Sequence, residues 1–243
     1  LRSTLLVDVL TAALGVGLVC CIPLPKQQKR TEKASVFSDI KQGMRYAFSD
    51  RFLGRLLLVY GLLIFLCVPA GFLAQLLVSR VYGDTYWHLT AVDLFGFAGM
   101  ALGGLVMGFW GGFRNRGKTL LAGLAAFGAL AIGMGVSRNF IFYLSLMLLY
   151  GVALTTVQTA TTTLIQERAE TAVQGRVFGL MGSIYSGFLP IGMAVFGPLS
   201  DYIPLQWLMA GSGAALILIA FGLRMDGMAL AGKAGSASAA PRE

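Results

Sequence analysis

The chain has 243 residues, of which 56% are hydrophobic and only 12% charged, with a mean hydropathy of +0.75. A soluble domain of this length needs far less apolar material for its core, so a soluble enzyme or binding module is excluded and a bilayer is the expected solvent. The formal charge of +8 would suit nucleic acid only if it were gathered on one soluble face, and the sequence offers no soluble domain to hold it.

Runs of about 18 or more residues with at most one charge, the length that crosses a ~30 Å hydrocarbon core at ~1.5 Å per residue, recur seven times. They cover residues 4–22, 56–78, 89–110, 119–136, 140–165, 177–198 and 205–223. Each is continuously apolar and about twice the length of a barrel strand, so helices are expected and a β-barrel is not. The predicted fold class is an all-α membrane protein with seven transmembrane helices. Asp8 and Asp93 alone are charged within the spans. Intramembrane carboxylates default to function, which makes both proton-coupling candidates. For Asp93, near the start of its span, a helix N-cap or interfacial anchor is the competing expectation.

The first span opens LRSTLLVDVL, without an initiator Met, a basic leader region or a small-residue cleavage site. It is expected to be a true span, and the chain a piece of a longer protein. Cys20, Cys21 and Cys67 all sit in spans and are expected to act as small apolar residues. The loop over 23–55 is basic, and its Phe37, Ile40, Met44 and Ala47 or Phe48 recur at helical spacing, which predicts an interfacial helix.

In the second span Tyr60, Ile64, Cys67, Gly71 and Gln75 share one helix face, with a bend expected at Pro69. The third carries Gly99, Gly103 and Gly104, Gly108 and Gly112 at four-residue spacing, a stripe that lets a neighbouring backbone approach. It runs into the turn "GFWGGFRNRGKTLL", where Arg114, Arg116 and Lys118 stand without an acid. In the fifth span Tyr150 or Gly151, Thr155, Gln158 or Thr159, and Thr162 form a polar stripe. Such groups in lipid either bond across helices or line a wet cavity. The tail after Met225 is small and polar, and disorder is expected there.

Lys and Arg near span ends mark the cytoplasmic side. Sixteen cations fall in the loops between spans one and two, three and four, five and six, and in the tail, against Arg2, Arg80 and Arg138 on the other side. The C-terminus is therefore expected in the cytoplasm, with the chain multi-pass in the cell membrane. His88 is the single histidine, no loop clusters aspartates, and P-loop or dinucleotide-binding glycine patterns are absent, so neither enzymatic chemistry nor a cofactor or metal is indicated.

Several stretches in this order resemble the major facilitator superfamily, in particular its macrolide-efflux-like branch of drug exporters. They are "DIKQGMRYAFSDRFLGRLLL" in the basic loop, "WGGFRNRGKTLL", "LIQERAETAVQGRVFGLMGSI" and "GPLSD". The resemblance implies a C-terminal six-helix half at 56–223. It is preceded by the last helix of the N-terminal half at 1–22 and the central loop at 23–55, and followed by a cytoplasmic tail at 224–243. It implies a secondary active exporter of a hydrophobic drug-like compound or metabolite, working by alternating access. Its partners would be the small-molecule substrate, the lipid bilayer and an N-terminal half lying outside this sequence.

In the resembled fold the cargo path lies near the midplane, lined by the first and fourth helices of each half. That makes Tyr60, Ile64, Gly71, Gln75, Tyr150, Thr155, Gln158 and Thr162 the cavity-lining candidates. The basic turn is similar to the superfamily's loop between the second and third helices of a half, so Gly108, Arg114, Arg116, Gly117 and Lys118 carry an implied gating role. Where that loop commonly places an Asp, this chain has Gly112. An ion pair there must borrow Glu167 or Glu170 from the neighbouring turn. The alternative from another class is a non-transporting membrane assembly partner or sensor that uses the central loop as its interaction surface.

Overall fold

The computed structural model describes residues 9–13, 16–17, 50–83 and 85–225. The chain divides into two units, residues 1–38 and 39–243. In the first, the backbone is helical at 9–13 and 16–17. Asp8, Cys20, Cys21, the expected interfacial helix around Ile40 and the tail after Met225 lie outside the described residues, as does most of the expected first span.

The described part of the second unit is helical, with no strand. Its helices are α1 (Arg51–Gly71), α2 (Ala74–Val81), α3 (Tyr86–Trp110), α4 (Arg116–Val136), α5 (Phe140–Arg168), α6 (Thr171–Tyr202) and α7 (Leu205–Met225). Taking α1 and α2 as one, six among the described residues are long and apolar enough to cross a membrane.

Short polar side chains start three of them. Asp50 Oδ1 accepts the Phe52 N–H at 2.8 Å and Asn115 Oδ1 the Gly117 N–H at 3.0 Å, while Asn139 Oδ1 accepts from Ile141 and Phe142. Each satisfies main-chain donors that the first turn leaves without partners.

The expected bend arrives a few residues past Pro69. Pro69 has no N–H for the Phe65 carbonyl, yet the helix continues to Gly71. It yields at Phe72 and Leu73, whose N–H groups both reach the Val68 carbonyl, at 2.9 and 3.0 Å. The second of these is an i→i−5 bond, a locally widened turn. At the next helix an expectation is corrected. α3 begins at Tyr86 with Thr85 as its cap, so Asp93 lies two turns inside the helix and does not cap it. Tyr86, Trp87 and His88, which precede the expected apolar run, are helical as well.

α5 packs against α3 and α4, α4 also against α7, and α1 against α6 and α7. Tyr143, Phe127, Leu124, Met134, Ile165 and Met209 fill the interior. Coverage is uneven: 61% of the apolar stretch of α1 and α2 is buried, against 28% for α3 and 17% for α6. Leu94, Phe97 and Leu105 on α3, and Tyr185, Phe188, Ile191 and Val195 on α6, remain exposed. The chain order places the start of α1, the α3–α4 turn and the α5–α6 turn at one end, which is rich in cations. The α2–α3, α4–α5 and α6–α7 connections lie at the other.

Candidate functional site

The turn from Gly111 to Asn115 is built around two glycines in the left-handed region, φ +67° at Gly111 and +80° at Gly112. The Gly111 N–H closes α3 on the Met107 carbonyl at 2.9 Å. A Cβ on Gly112 would stand 2.9 Å from Thr119 Oγ1 and 3.0 Å from its methyl. Thr119 is fully buried in the first turn of α4, and its hydroxyl accepts the Phe113 N–H at 2.9 Å. Backbone and neighbour alike thus favour glycine where the resembled loop has Asp.

Arg116 holds this turn from both sides. Its Nη1 donates to the Gly111 carbonyl, and its Nε lies 3.5 Å from Glu167 Oε1 at the end of α5. Of the two acids available to the turn, Glu167 is the one that meets Arg116; Glu170 occupies the N-cap position of α6 without a side-chain cap bond. Beside it, Arg168 Nε sits 3.3 Å from Asp50 Oδ2, with its guanidinium 5.5 Å from the Phe52 ring centroid. Two adjacent ion pairs therefore join the α3–α4 turn, the end of α5 and the start of α1. Both are partly exposed, so geometry rather than bulk stability is their contribution. Arg114 and Lys118 point to the exterior and Gly117 is buried under the turn.

The glycine stripe of α3 has a different register from the expected one. The buried set is Gly96, Gly99 and Gly103, while Gly104 and Gly108 face open space among the described residues. A Cβ on Gly99 would run into the Leu148 carbonyl, and one on Gly103 would stand 2.9 Å from both Val152 Cα and Thr155 Cβ. Across the seam, a Cβ on Gly151 would meet the Gly96 carbonyl at 2.6 Å. α3 and α5 thus touch backbone to backbone, with dispersion contacts in place of the hydrophobic drive that lipid removes.

The cavity-lining candidates do not share one environment. Tyr60, Ile64 and Tyr150 are buried within this six-helix unit. The Tyr150 hydroxyl donates to the Cys67 carbonyl at 3.3 Å, and a Cβ on Gly71 would lie 3.5 Å from that hydroxyl. Thr155 bonds across the helices to the Met100 carbonyl at 3.2 Å and back to Gly151 at 3.1 Å. Gln158 and Thr162 are half-buried, and their side chains make no hydrogen bond among the described residues. Gln75 is exposed. Its Nε2 donates to Asp93 Oδ2 at 2.7 Å, bringing together a cavity candidate and a proton-coupling candidate that were singled out for separate reasons.

Two contacts were not anticipated from the sequence. Arg80, counted only as a sparse cation, bonds to the Ser200 carbonyl at 2.6 Å and to Asp201 Oδ1 at 3.0 Å. Pro204, following the end of α6, was the available signal, because it has no N–H to give the last turn. Tyr82, at the end of α2, donates to the Ser137 carbonyl at 2.8 Å and packs on Phe140 and Tyr143. Among the described residues no group of three or more His, Cys, Asp or Glu side chains is placed to hold a metal.

The family model described as Major Facilitator Superfamily matches residues 1–190. Macrolide efflux protein A of Streptococcus pyogenes is 27% identical over 224 residues, which cover 90% of this chain and 55% of that protein. Macrolide efflux protein A of Enterococcus faecalis is 27% identical over 197 residues, covering 79% of this chain and 61% of that one. The chain thus spans a little over half the length of the curated relatives it matches.

Proposed function

We propose that this chain, which belongs to the major facilitator superfamily, forms one wall of a secondary active exporter. The observation that carries the reading is the similarity to macrolide efflux protein A along 90% of the chain. Its cargo on this reading is a macrolide or another large, largely apolar compound. The thinly covered faces of α3 and α6 support a conduit completed by further helices, since large apolar areas on a membrane unit are met by lipid or by another helical face. That counterpart would be an N-terminal half lying outside this sequence.

The two ends of the unit differ in a way that suits alternating access. At the cation-rich end, taken as cytoplasmic, Arg116 ties the α3–α4 turn to Glu167 and Arg168 ties α5 to Asp50. Both pairs lie inside this half, so they fix the turn and the helix ends that would meet the other half here, and in that positioning role they serve the gate. Of the two carboxylates proposed to couple proton movement to that change, Asp8 lies outside the described residues and Asp93 carries Gln75 on one of its oxygens. Gln158 and Thr162 on α5, with no side-chain hydrogen bond among the described residues, are proposed to face cargo.

The test is accumulation of a radiolabelled macrolide in bacteria stripped of their own exporters. Co-expressing this chain with an N-terminal half from a relative should lower steady-state accumulation. Unchanged accumulation, with both chains present in the membrane, would favour the non-transporting alternative.

A further inference from the structure

α6 is the least covered helix of the unit and is held unevenly along its length. Its middle rests on α1, where a Cβ on Gly192 would meet Val68 at 2.7 Å and the Phe65 carbonyl at 3.2 Å, and where the Phe65 and Phe196 rings lie 5.0 Å apart. Its contacts with α5 and α7 are sparse. At its first turns Gln174 Nε2 reaches the Gln166 and Ala169 carbonyls at 2.9 and 3.1 Å.

The far end is the informative one. α6 stops at Tyr202, Ile203 is extended, and Pro204 has no N–H, so the Ser200 carbonyl has no main-chain donor. Ser200 is itself buried, 3% exposed, and its hydroxyl is committed to Gly197. The donor comes from Arg80 on α2, whose second nitrogen is held by Asp201. A cation at a helix C-terminus also meets the negative end of the helix dipole. Arg80 and Asp201 are 44% and 68% exposed, so as an ion pair they contribute little. The charge-assisted bond to an otherwise unpartnered carbonyl is the stronger element.

α2 itself is firmly seated. Ala74, Leu77 and Val78 are buried, Gln75 is tied to Asp93 on α3, and Tyr82 to the α4–α5 connection. It therefore makes a fixed post. We propose that Arg80 is a positioning residue that pins the C-terminal end of α6 to this post, and that releasing the pin lets that end of α6 move away from α1 and α2. The pin sits at the end opposite the Arg116–Glu167 pair. The unit thus carries a separable restraint at each end, the second of them on a single helix.

The test needs no cargo, so it stands or falls separately from the exporter reading. Spin labels at Val81→Cys and Tyr202→Cys, both exposed sites, would report the separation of α2 from the C-terminal end of α6 for the chain in lipid, with native cysteines replaced by Ala. The parent should give one narrow distance distribution, and Arg80→Ala a broader one shifted to longer distances. Arg80→Lys should fall between, because an ammonium lacks the fork that spans carbonyl and carboxylate. Asp201→Asn should shift least, since the carbonyl bond survives. A parent-like distribution in Arg80→Ala would overturn the proposal. If that variant does not fold, parent-like distributions in both Arg80→Lys and Asp201→Asn would do so.

Discussion

Gln75 and Asp93 meet across two helices, amide nitrogen to carboxylate oxygen, at 2.7 Å. One reaches Asp93 from α2, the short segment beyond the break at Phe72 and Leu73; the other is two turns inside α3. On the proposed reading, removing the charge and removing the hydrogen bond should have different effects. Asp93→Asn keeps an oxygen that accepts from Gln75. It should leave folding and orientation intact while abolishing export driven by an imposed pH gradient. Gln75→Ala should retain gradient dependence with a reduced rate. Gradient-driven export at the parent rate in Asp93→Asn would remove that carboxylate from the coupling scheme.

At the cation-rich end the two partners of one ion pair should not be equivalent. Glu167→Gln removes only the carboxylate charge, whereas Arg116→Ala also strips the Gly111 carbonyl of its donor and frees the turn. Arg116→Ala should therefore slow export more, by roughly the tenfold that ~1.4 kcal/mol represents, with Glu167→Gln between it and the parent. Membrane insertion should be normal in both. Lost insertion with normal specific activity would instead support a role for these cations in topology alone.

The glycines give a sharp stability contrast. Gly99→Ala would push a methyl into the Leu148 backbone, which cannot step aside, so destabilisation at the upper end of the ~1–3 kcal/mol typical of overpacking is expected. Gly108→Ala meets open space and should change thermal stability in detergent little. Gly112→Ala combines a positive φ with the Thr119 contact and should cost at least the ~1–2 kcal/mol of a left-handed non-glycine residue. Equal midpoints for the Gly99 and Gly108 variants would contradict the packing seam described.

Much of the fold was legible because unbroken apolarity and length fix a helix in lipid without reference to its neighbours. What it packs against is not encoded in the same way. A glycine stripe has no side chain to indicate its buried edge, so the choice of Gly96, Gly99 and Gly103 over Gly104 and Gly108 depends on Leu148, Gly151 and Val152, some fifty residues away. Helical spacing likewise placed Tyr60, Ile64 and Gln75 on one face without showing that the first two are covered and the third is not. The helix of α3 starts three residues before the apolar run read from the sequence, because apolarity alone gives no weight to Tyr86, Trp87 and His88, which are helical. The Arg116–Glu167 contact was approachable, because an acid-free basic turn has to find its acid in a neighbouring connection. For Arg80 the sequence offered only half of the contact: Pro204 marks a carbonyl without a main-chain donor, but that Arg80 supplies one is visible only once α6 and α2 lie side by side.

Orientation can be read by cysteine labelling at exposed positions. Ser137 and Ser200 sit at the expected outer end but are buried, which makes them poor reporters. Arg138→Cys and Tyr202→Cys are exposed there and should react with an impermeant thiol reagent from outside, in a background lacking the native three cysteines. Phe113→Cys and Glu170→Cys should react only after permeabilisation. The reverse pattern would invert the topology and with it the assignment of the gate.

Flux through purified protein tests the account most directly. Vesicles would be loaded with a fluorescent macrolide, given an inward-acid or an outward-acid gradient, and prepared with residues 1–243 alone or with an added N-terminal half from a relative. The two-chain vesicles should move the compound in a gradient-dependent manner, and the single chain, owning one wall of the conduit, should insert stably but move none. Robust gradient-dependent flux from residues 1–243 alone would contradict the half-transporter account and identify a self-sufficient carrier.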